Sequence, residues 1–361
     1  NARRVLLKDD AAPRAGQVVR FPELAETLKL IAREGRDGFY RGGVAEDMVG
    51  YLREQGGLHS LDDFAAQACQ YVAPISTEYR GFEIHECPPN GQGITTLIIL
   101  NILEGFDLAS LATMGVERLH LEAEAARLAY EVRDAMVADP AQAEVPVERM
   151  LSPAFAAELR GRIRHDRARA ETPPSPVPAH PDTVYLAVVD EERNAISFIN
   201  STFHSFGSGL MSPNTGVNFH NRGTGFVVEP GHPNCIAPGK RPLHTIIPAM
   251  VTREGRAVMP FGVMGGHFQP VGQSRVLTNM LDFGMDPQEA LDAPRGFHFE
   301  GAFQLEKGIA EEVAEGLVAL GHEVVRAETP LGGGQAIWID WDSGVLTAGS
   351  EPRKDGCALG Y

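Results

Sequence analysis

Between Thr172 and Asp182 the chain reads TPPSPVPAHPD, five prolines in eleven residues with no apolar run. Proline fixes φ and has no main-chain N–H to give, so this stretch is expected to be exposed and extended. It stops abruptly at TVYLAVVD, Thr183 to Asp190, a run with the β-branched, apolar character of a buried strand. The chain is thus divided at Asp182–Thr183 into two parts of different texture.

The first part is mainly helical. FPELAETLKLIAREG carries apolar residues at helical spacing and stops at Gly35, and VAEDMVGYLREQGG does the same before Gly56-Gly57. YRGFEIHECPPNGQG reads as a strand ending in a Pro/Gly turn, and the length of ITTLIILNILEGF favours a buried helix over a strand. GVERLHLEAEAARLAYEVRDAMVADP is the clearest amphipathic helix, closed by Asp139-Pro140. PAFAAELRGRIRHDRARA follows, with five arginines from Arg160 to Arg169. A solvated helix face is the better reading there than an anion site, because the whole chain is acidic.

The second part is built of short strands, TVYLAVVD, AISFIN, AVMPFGVMGG, QAIWIDW and VLTAGS, with helices expected at QSRVLTNMLDFG and over 309–321. EERN, Glu191 to Asn194, is a hairpin turn between the first two strands, and WDSG near Asp342 is another. The fold class is α+β, with a sheet assembled around Thr183.

Composition narrows the function. The 361 residues are 43% apolar and 22% charged, a globular balance, with no apolar run long enough to span a membrane. A formal charge of −16 disfavours nucleic acid or an anionic membrane as partner, since both need a basic face. Cys69, Cys87, Cys235 and Cys357 are widely spaced without a CxxC, so buried thiols are expected in place of a zinc ribbon or disulfide framework. The start, Asn1-Ala2-Arg3-Arg4, fits a processed or truncated end.

The chemistry turns on Thr183. A hydroxyl is a weak nucleophile until a base takes its proton, and a threonine at a chain's amino terminus carries that base on the same residue. An α-amine has a reference pKa of about 7.7–8.0, so a useful fraction is unprotonated near neutrality. Cutting the Asp182–Thr183 bond would create such a group, and an exposed proline-rich segment upstream would let the severed end swing away.

With those residues in view the chain resembles the γ-glutamyltransferase family of Ntn hydrolases. The likeness is carried by DTVYLAVVDEERNAISFINSTFHSFGSG, NCIAPGKRPLHTIIPAMV and FGVMGGHFQPVGQSRVLTNMLDFGMDPQEALDAPR, and upstream by ECPPNGQG and HLEAEAARLAYEVRDAMVADP. The ending GSEPRKDGCALGY also fits, with Glu351 where the family usually has Asp. The resemblance implies self-cleavage before Thr183 and an acyl-enzyme mechanism without cofactor or metal. It implies an αββα sandwich formed jointly by 1–182, the end of the family's large segment, and 183–361, its small segment, as one domain. The partners implied are a small-molecule amide and the chain's own cleaved segment, as a heterodimer.

By the same resemblance Thr183 falls at the nucleophile, and Ser201 where a threonine hydrogen-bonds it. Gly265 and Gly266 match the glycine pair whose main-chain N–H groups form the oxyanion hole. The substrate positions depart from the glutamyl pattern. Arg222 and Gly225 stand where glutamyl-transferring members keep a Gln or Glu and an Asp for the substrate's α-amine, and glycine has no carboxylate to offer. His244 and Thr245 replace two serines that help hold the α-carboxylate, and Phe203 replaces an Asn. Arg222 would favour an anion and His244 could donate to one, though a surface arginine and a satisfied core histidine are the plain alternatives. This pattern looks like the acylase-like branch, with cephalosporin-acylase and oxamate-amidohydrolase relatives. A γ-glutamyl amide such as glutathione is the family's default substrate. Another carboxylate-bearing acyl amide is the runner-up, and a non-catalytic scaffold the rival of another class.

Three further motifs carry less. PPNGQG (Pro88 to Gly93) and LGGGQ (Leu331 to Gln335) lack the Lys-Ser/Thr ending of a phosphate loop and read as turns, the second near the site. His120 and Glu124 share a helical face, but HxxxE alone does not make a metal site. His267, beside the glycine pair, is a candidate for lining the pocket.

Overall fold

The structure, a computed structural model, describes residues 1–169 and 181–361; for Pro181 and Asp182 it describes the main chain only. The rest of the proline-rich stretch lies outside the described residues. The chain forms two compact units, Asn1–Tyr71 with Thr202–Asn221, and Val72–Ser201 with Arg222–Tyr361.

In the first unit the two expected helices run over Pro22–Glu34 and Gly42–Glu54. The 202–221 segment is fastened to them by side-chain bonds. The Asp47 carboxylate accepts from the Ser212 hydroxyl and from Asn214 Nδ2 at 2.6 Å, and Thr27 Oγ1 donates to the Thr215 carbonyl at 2.8 Å. Phe203 belongs to this unit, buried and with φ of +79°.

The second unit holds the strands β1 (Ile75–Tyr79), β2 (Phe82–Glu86), β3 (Pro181–Val189), β4 (Ala195–His204, whose last residues enter the first unit), β5 (Ala249–Arg253), β6 (Arg256–Met264), β7 (Gly296–Phe299), β8 (Ala302–Leu305), β9 (Val324–Arg326), β10 (Gly333–Ile339) and β11 (Leu346–Ser350). Six of them form an antiparallel sheet in the order β1-β2-β5-β6-β10-β11; β7-β8-β9 and β3-β4 are smaller sheets. The main sheet therefore draws strands from both sides of Thr183. The segment before the PPNGQG turn is a hairpin, where one strand was expected: Arg80 and Gly81 turn with φ of +50° and +79° and pair β1 with β2.

Helices Gly93–Leu103 and Gln269–Leu281 cover one face of the main sheet, and Val116–Met136 lies against Gly93–Leu103. The 93–103 helix is apolar all round and buried, as its composition requires. The 116–136 helix is a correction to the amphipathic reading, because its charged residues are internal. Arg118, His120, Glu124 and Arg133 are all at most 1% exposed. Arg118 pairs with Glu122 at 2.9 Å and Arg127 with Glu124 at 2.7 Å, which is what makes such burial tolerable.

The arginine-rich stretch is corrected too. Its helix ends at Arg160, and that guanidinium donates to the carbonyls of Ile102 and Asn101 at 2.8 and 2.7 Å. Arg162 and Arg169 both reach Glu131. Three of the five arginines thus staple the segment to neighbouring helices. The cysteines are not buried thiols: Cys69, Cys87 and Cys357 are exposed and Cys235 is half-buried, all outside helices and strands.

The β3-β4 hairpin lies on the face of the main sheet opposite the helices. Tyr185, Ile199 and Met264 form a buried cluster there, with Ala187 and Ile246 against it. Tyr185 Oη hydrogen-bonds Ser197 Oγ at 2.8 Å, and Ser197 Oγ donates to the Phe261 carbonyl of β6 at 3.2 Å. The alternate residues Val184, Leu186, Val188, Ile196 and Phe198 face outward and are exposed.

Candidate active site

Thr183 sits on the inward face of β3, in phase with Tyr185 and Ala187. The hairpin closes through Asp190 N–H to the Asn194 carbonyl at 3.1 Å, with the EERN turn as expected. The burial alternation along β3 and β4 puts Thr183 in phase with Tyr185 and Ser201 in phase with Ile199, the residues of the buried cluster against Met264. β3 also meets the short helical turn Gly266–Phe268. In the uncut chain the nitrogen of Thr183 is a peptide nitrogen and cannot act as a base.

β6 ends at Met264 and the glycine pair follows. Gly265 has φ of +136° and Gly266 of +59°, conformations that L side chains resist. A Cβ on Gly265 would stand 3.1 Å from Gly332 Cα, so LGGGQ abuts the glycine pair, but it is not a turn throughout: Gly333 to Gln335 open β10 and pair with β6. Phe268 N–H donates to the Gly265 carbonyl at 3.0 Å and closes the turn.

The residue that ties this turn to its surroundings is Gln92, which sequence reasoning passed over as part of a Pro/Gly turn. It is fully buried; its Nε2 donates to the carbonyls of Gly266 and Thr245, both at 2.8 Å, and Oε1 accepts from Arg133 NH1 at 2.9 Å. The PPNGQG turn also zips to the loop bearing His244 and Thr245. His244 N–H donates to the Asn90 carbonyl and Gln92 N–H to the His244 carbonyl, both at 2.9 Å.

Of the expected substrate residues, the structure brings Arg222 and Thr245 into contact. Arg222 NH1 donates to Thr245 Oγ1 at 2.7 Å; both are buried, and burial pushes the guanidinium down to about 10, still a cation at neutrality. Arg222 is therefore not a surface arginine. A hydrogen-bonded chain runs Arg222–Thr245–Gln92–Gly266. His244 is half-buried beside it. Gly225 is hemmed in: a Cβ there would lie 2.7 Å from the Leu243 carbonyl oxygen. The position lacks a carboxylate and also lacks room for a side chain.

His267 is fixed from two sides. Tyr130 Oη donates to its carbonyl, and Arg133 NH1 donates to its Nδ1 at 2.8 Å. Arginine has no acceptor, so Nδ1 is the bare nitrogen and the ring proton sits on Nε2. The loop carrying APGKRPL is anchored by Asp139, which accepts from Arg241 N–H at 2.9 Å and from its guanidinium at 2.8 Å. Burial would raise the Asp139 carboxyl, but Arg241 holds it below the usual range.

His120 and Glu124 acquire a third buried neighbour, His322, whose Nε2 is 2.8 Å from His120 Nδ1. Glu124, however, is already committed to Arg127 and to the Arg169 N–H, and His120 Nε2 to the Arg164 carbonyl at 2.6 Å. This cluster fastens the 164–169 segment to the 116–136 helix.

A sequence model of the gamma-glutamyltranspeptidase family matches residues 1–361. The glutathione hydrolase-like YwrD proenzyme of Bacillus subtilis (strain 168) is 38% identical over 359 residues, covering 97% of this chain and 67% of that protein. The acylase ACY 1 proenzyme of Pseudomonas sp. (strain SE83) is 36% identical over 335 residues, 92% of this chain and 60% of its own length. Among solved structures, cephalosporin acylase from Bacillus halodurans superposes with a TM-score of 0.91 at 39% identity, over 99% of this chain and 66% of that one. The chain thus spans between 60% and 67% of the length of these relatives.

Proposed function

The chain belongs to the gamma-glutamyltranspeptidase family, and from that premise we propose that it acts in a self-processing amide hydrolase whose nucleophile is Thr183. Cleavage of the Asp182–Thr183 bond frees the threonine's amine. Thr183 Oγ then attacks the amide carbonyl of the substrate while its proton passes to that amine. The oxyanion is held by the main-chain N–H groups of Gly265 and Gly266, and Ser201 hydrogen-bonds the nucleophile. Collapse breaks the C–N bond, the amine returns its proton to the leaving nitrogen, and an ester on Thr183 remains. Water, or an acceptor amine, takes the acyl group by the reverse sequence. The two segments, 1–182 and 183–361, stay together as a heterodimer, and the whole protein completes an αββα sandwich.

The observation that carries this reading is the placement of Thr183 on the inward face of β3, a strand that meets the Gly266–Phe268 turn. Its relatives' names, proenzymes of a glutathione hydrolase type and an acylase, agree with amide hydrolysis. For the substrate, the buried Arg222 cation and the crowded Gly225 favour a carboxylate-bearing acyl group without the α-amine of glutamate, over the γ-glutamyl amides of the family's default. The test is processing. On a denaturing gel the wild-type protein is expected as two pieces, the smaller beginning at Thr183, and Thr183→Ala is expected uncut. A Thr183→Ala protein that still divides at that bond contradicts the proposal.

A further inference from the structure

We propose that Gln92 is a positioning residue, a single buried amide that holds the glycine turn and the substrate loop in one register. This rests on the reading of Gly265 and Gly266 as the oxyanion hole. The orientation of the amide follows from its partners. The atom between the carbonyls of Thr245 and Gly266 must be the nitrogen, since two acceptors cannot be met by an oxygen. The atom facing Arg133 must be the oxygen, since guanidinium only donates. Both amide hydrogens and the oxygen are therefore in use, and the side chain is fully buried.

Glycine lets the main chain approach a reacting carbonyl, but it also leaves the turn free to take many conformations. Donors that stabilise a developing charge are effective only when held in place beforehand. A peptide unit is planar, so fixing the Gly266 carbonyl fixes the Gly266–His267 plane and limits the rotation of the Gly266 residue itself. Gln92 supplies that restraint from a helix start anchored in the core, and Arg133, which holds Gln92 Oε1, also holds His267 Nδ1. The other hydrogen of the same amide fixes Thr245, whose hydroxyl accepts from Arg222. Substrate grip and oxyanion geometry thus share one side chain.

The experiment uses the full protein with glutaryl-p-nitroanilide as probe and compares wild type with Gln92→Met and Gln92→Glu. Gln92→Met keeps the volume and loses both donors; kcat is expected to fall about 100-fold, the scale of one lost oxyanion donor, with a smaller change in KM. Gln92→Glu sets a carboxyl against two carbonyl oxygens; it can donate to only one of them, and only while it carries a proton. Its kcat relative to wild type is expected to rise at least tenfold as the pH is lowered from 8 to 5.5, a change that a mere packing role does not produce. If Gln92→Met does not fold, the Gln92→Glu profile decides. A Gln92→Met protein with wild-type kcat overturns the proposal. So does a Gln92→Glu protein that is unfolded throughout or whose profile overlies wild type. A wild-type protein with no turnover of any acyl anilide would instead sink the hydrolase reading on which this one rests.

Discussion

Arg222 donates to the hydroxyl of Thr245 across 2.7 Å, with both residues buried. The two lie 23 positions apart and were singled out separately from the sequence as substrate contacts; in the fold they are one unit, a desolvated cation steered by a hydroxyl.

Replacing Arg222 by leucine removes that cation. A charge-assisted hydrogen bond to a carboxylate is worth about 1.5–3 kcal/mol, so KM for a glutaryl anilide is expected to rise roughly 10- to 150-fold. An uncharged acyl anilide of the same length should change little. Equal losses on the two substrates would place Arg222 in the scaffold and not in recognition.

Gly225 gives the companion prediction. Because a Cβ there meets the Leu243 carbonyl at 2.7 Å, Gly225→Asp is expected to destabilise the fold without creating γ-glutamyl activity. Thermal melting and turnover of γ-glutamyl against glutaryl anilide check both halves. A stable Gly225→Asp protein that gains glutamyl turnover would show that the site needs only the missing carboxylate.

The seat of β3 is equally specific. The Tyr185 ring lies over Gly262 so closely that a Cβ would fall 2.3 Å from its Cε2. Gly262→Ala is expected to cost about 1–3 kcal/mol and to slow the appearance of cut fragments by displacing β3. Adding Tyr185→Ala should recover part of the melting temperature, and a strictly additive double variant would deny the contact.

Much of this was legible in the sequence. The glycine pair and the helix ending at Gly35 each depend on residue types with strong local preferences; the proline boundaries were less exact, since the 116–136 helix closes at Met136, ahead of Asp139-Pro140, and β3 opens at Pro181, ahead of Thr183. The burial of the 116–136 helix was not legible, because Arg118, Glu124 and Arg133 look solvated until the partners that neutralise or bond them are placed. Gln92 was hidden for a related reason. The two carbonyls that its Nε2 meets lie 153 and 174 positions away, and nothing in PPNGQG distinguishes a cross-linking amide from a turn residue.

Two histidines set an acid limit on stability. Burial, reinforced by Arg127, pushes His298 down to about 4; burial with His120, His298 and Arg127 pushes His322 down to about 3. Both are neutral in the folded protein at pH 6.5, whereas the unfolded chain takes up protons below about 6.5. The unfolded state then binds more protons, so stability is full above pH 6.5 and falls on acidification until the folded values are reached. The slope is at most about 1.4 kcal/mol per pH unit for each histidine. Denaturant melts between pH 7 and 4 should show this slope, and His322→Asn should reduce it; a pH-independent midpoint would contradict the assignment.

The most direct measurement is the site of the acyl group. The processed protein is mixed with excess glutaryl-p-nitroanilide, quenched in acid during turnover and mapped by mass spectrometry. The glutaryl mass is expected on the peptide whose first residue is Thr183, at its hydroxyl. Acyl transfer to any other residue, or turnover by material with no chain end at Thr183, would contradict it.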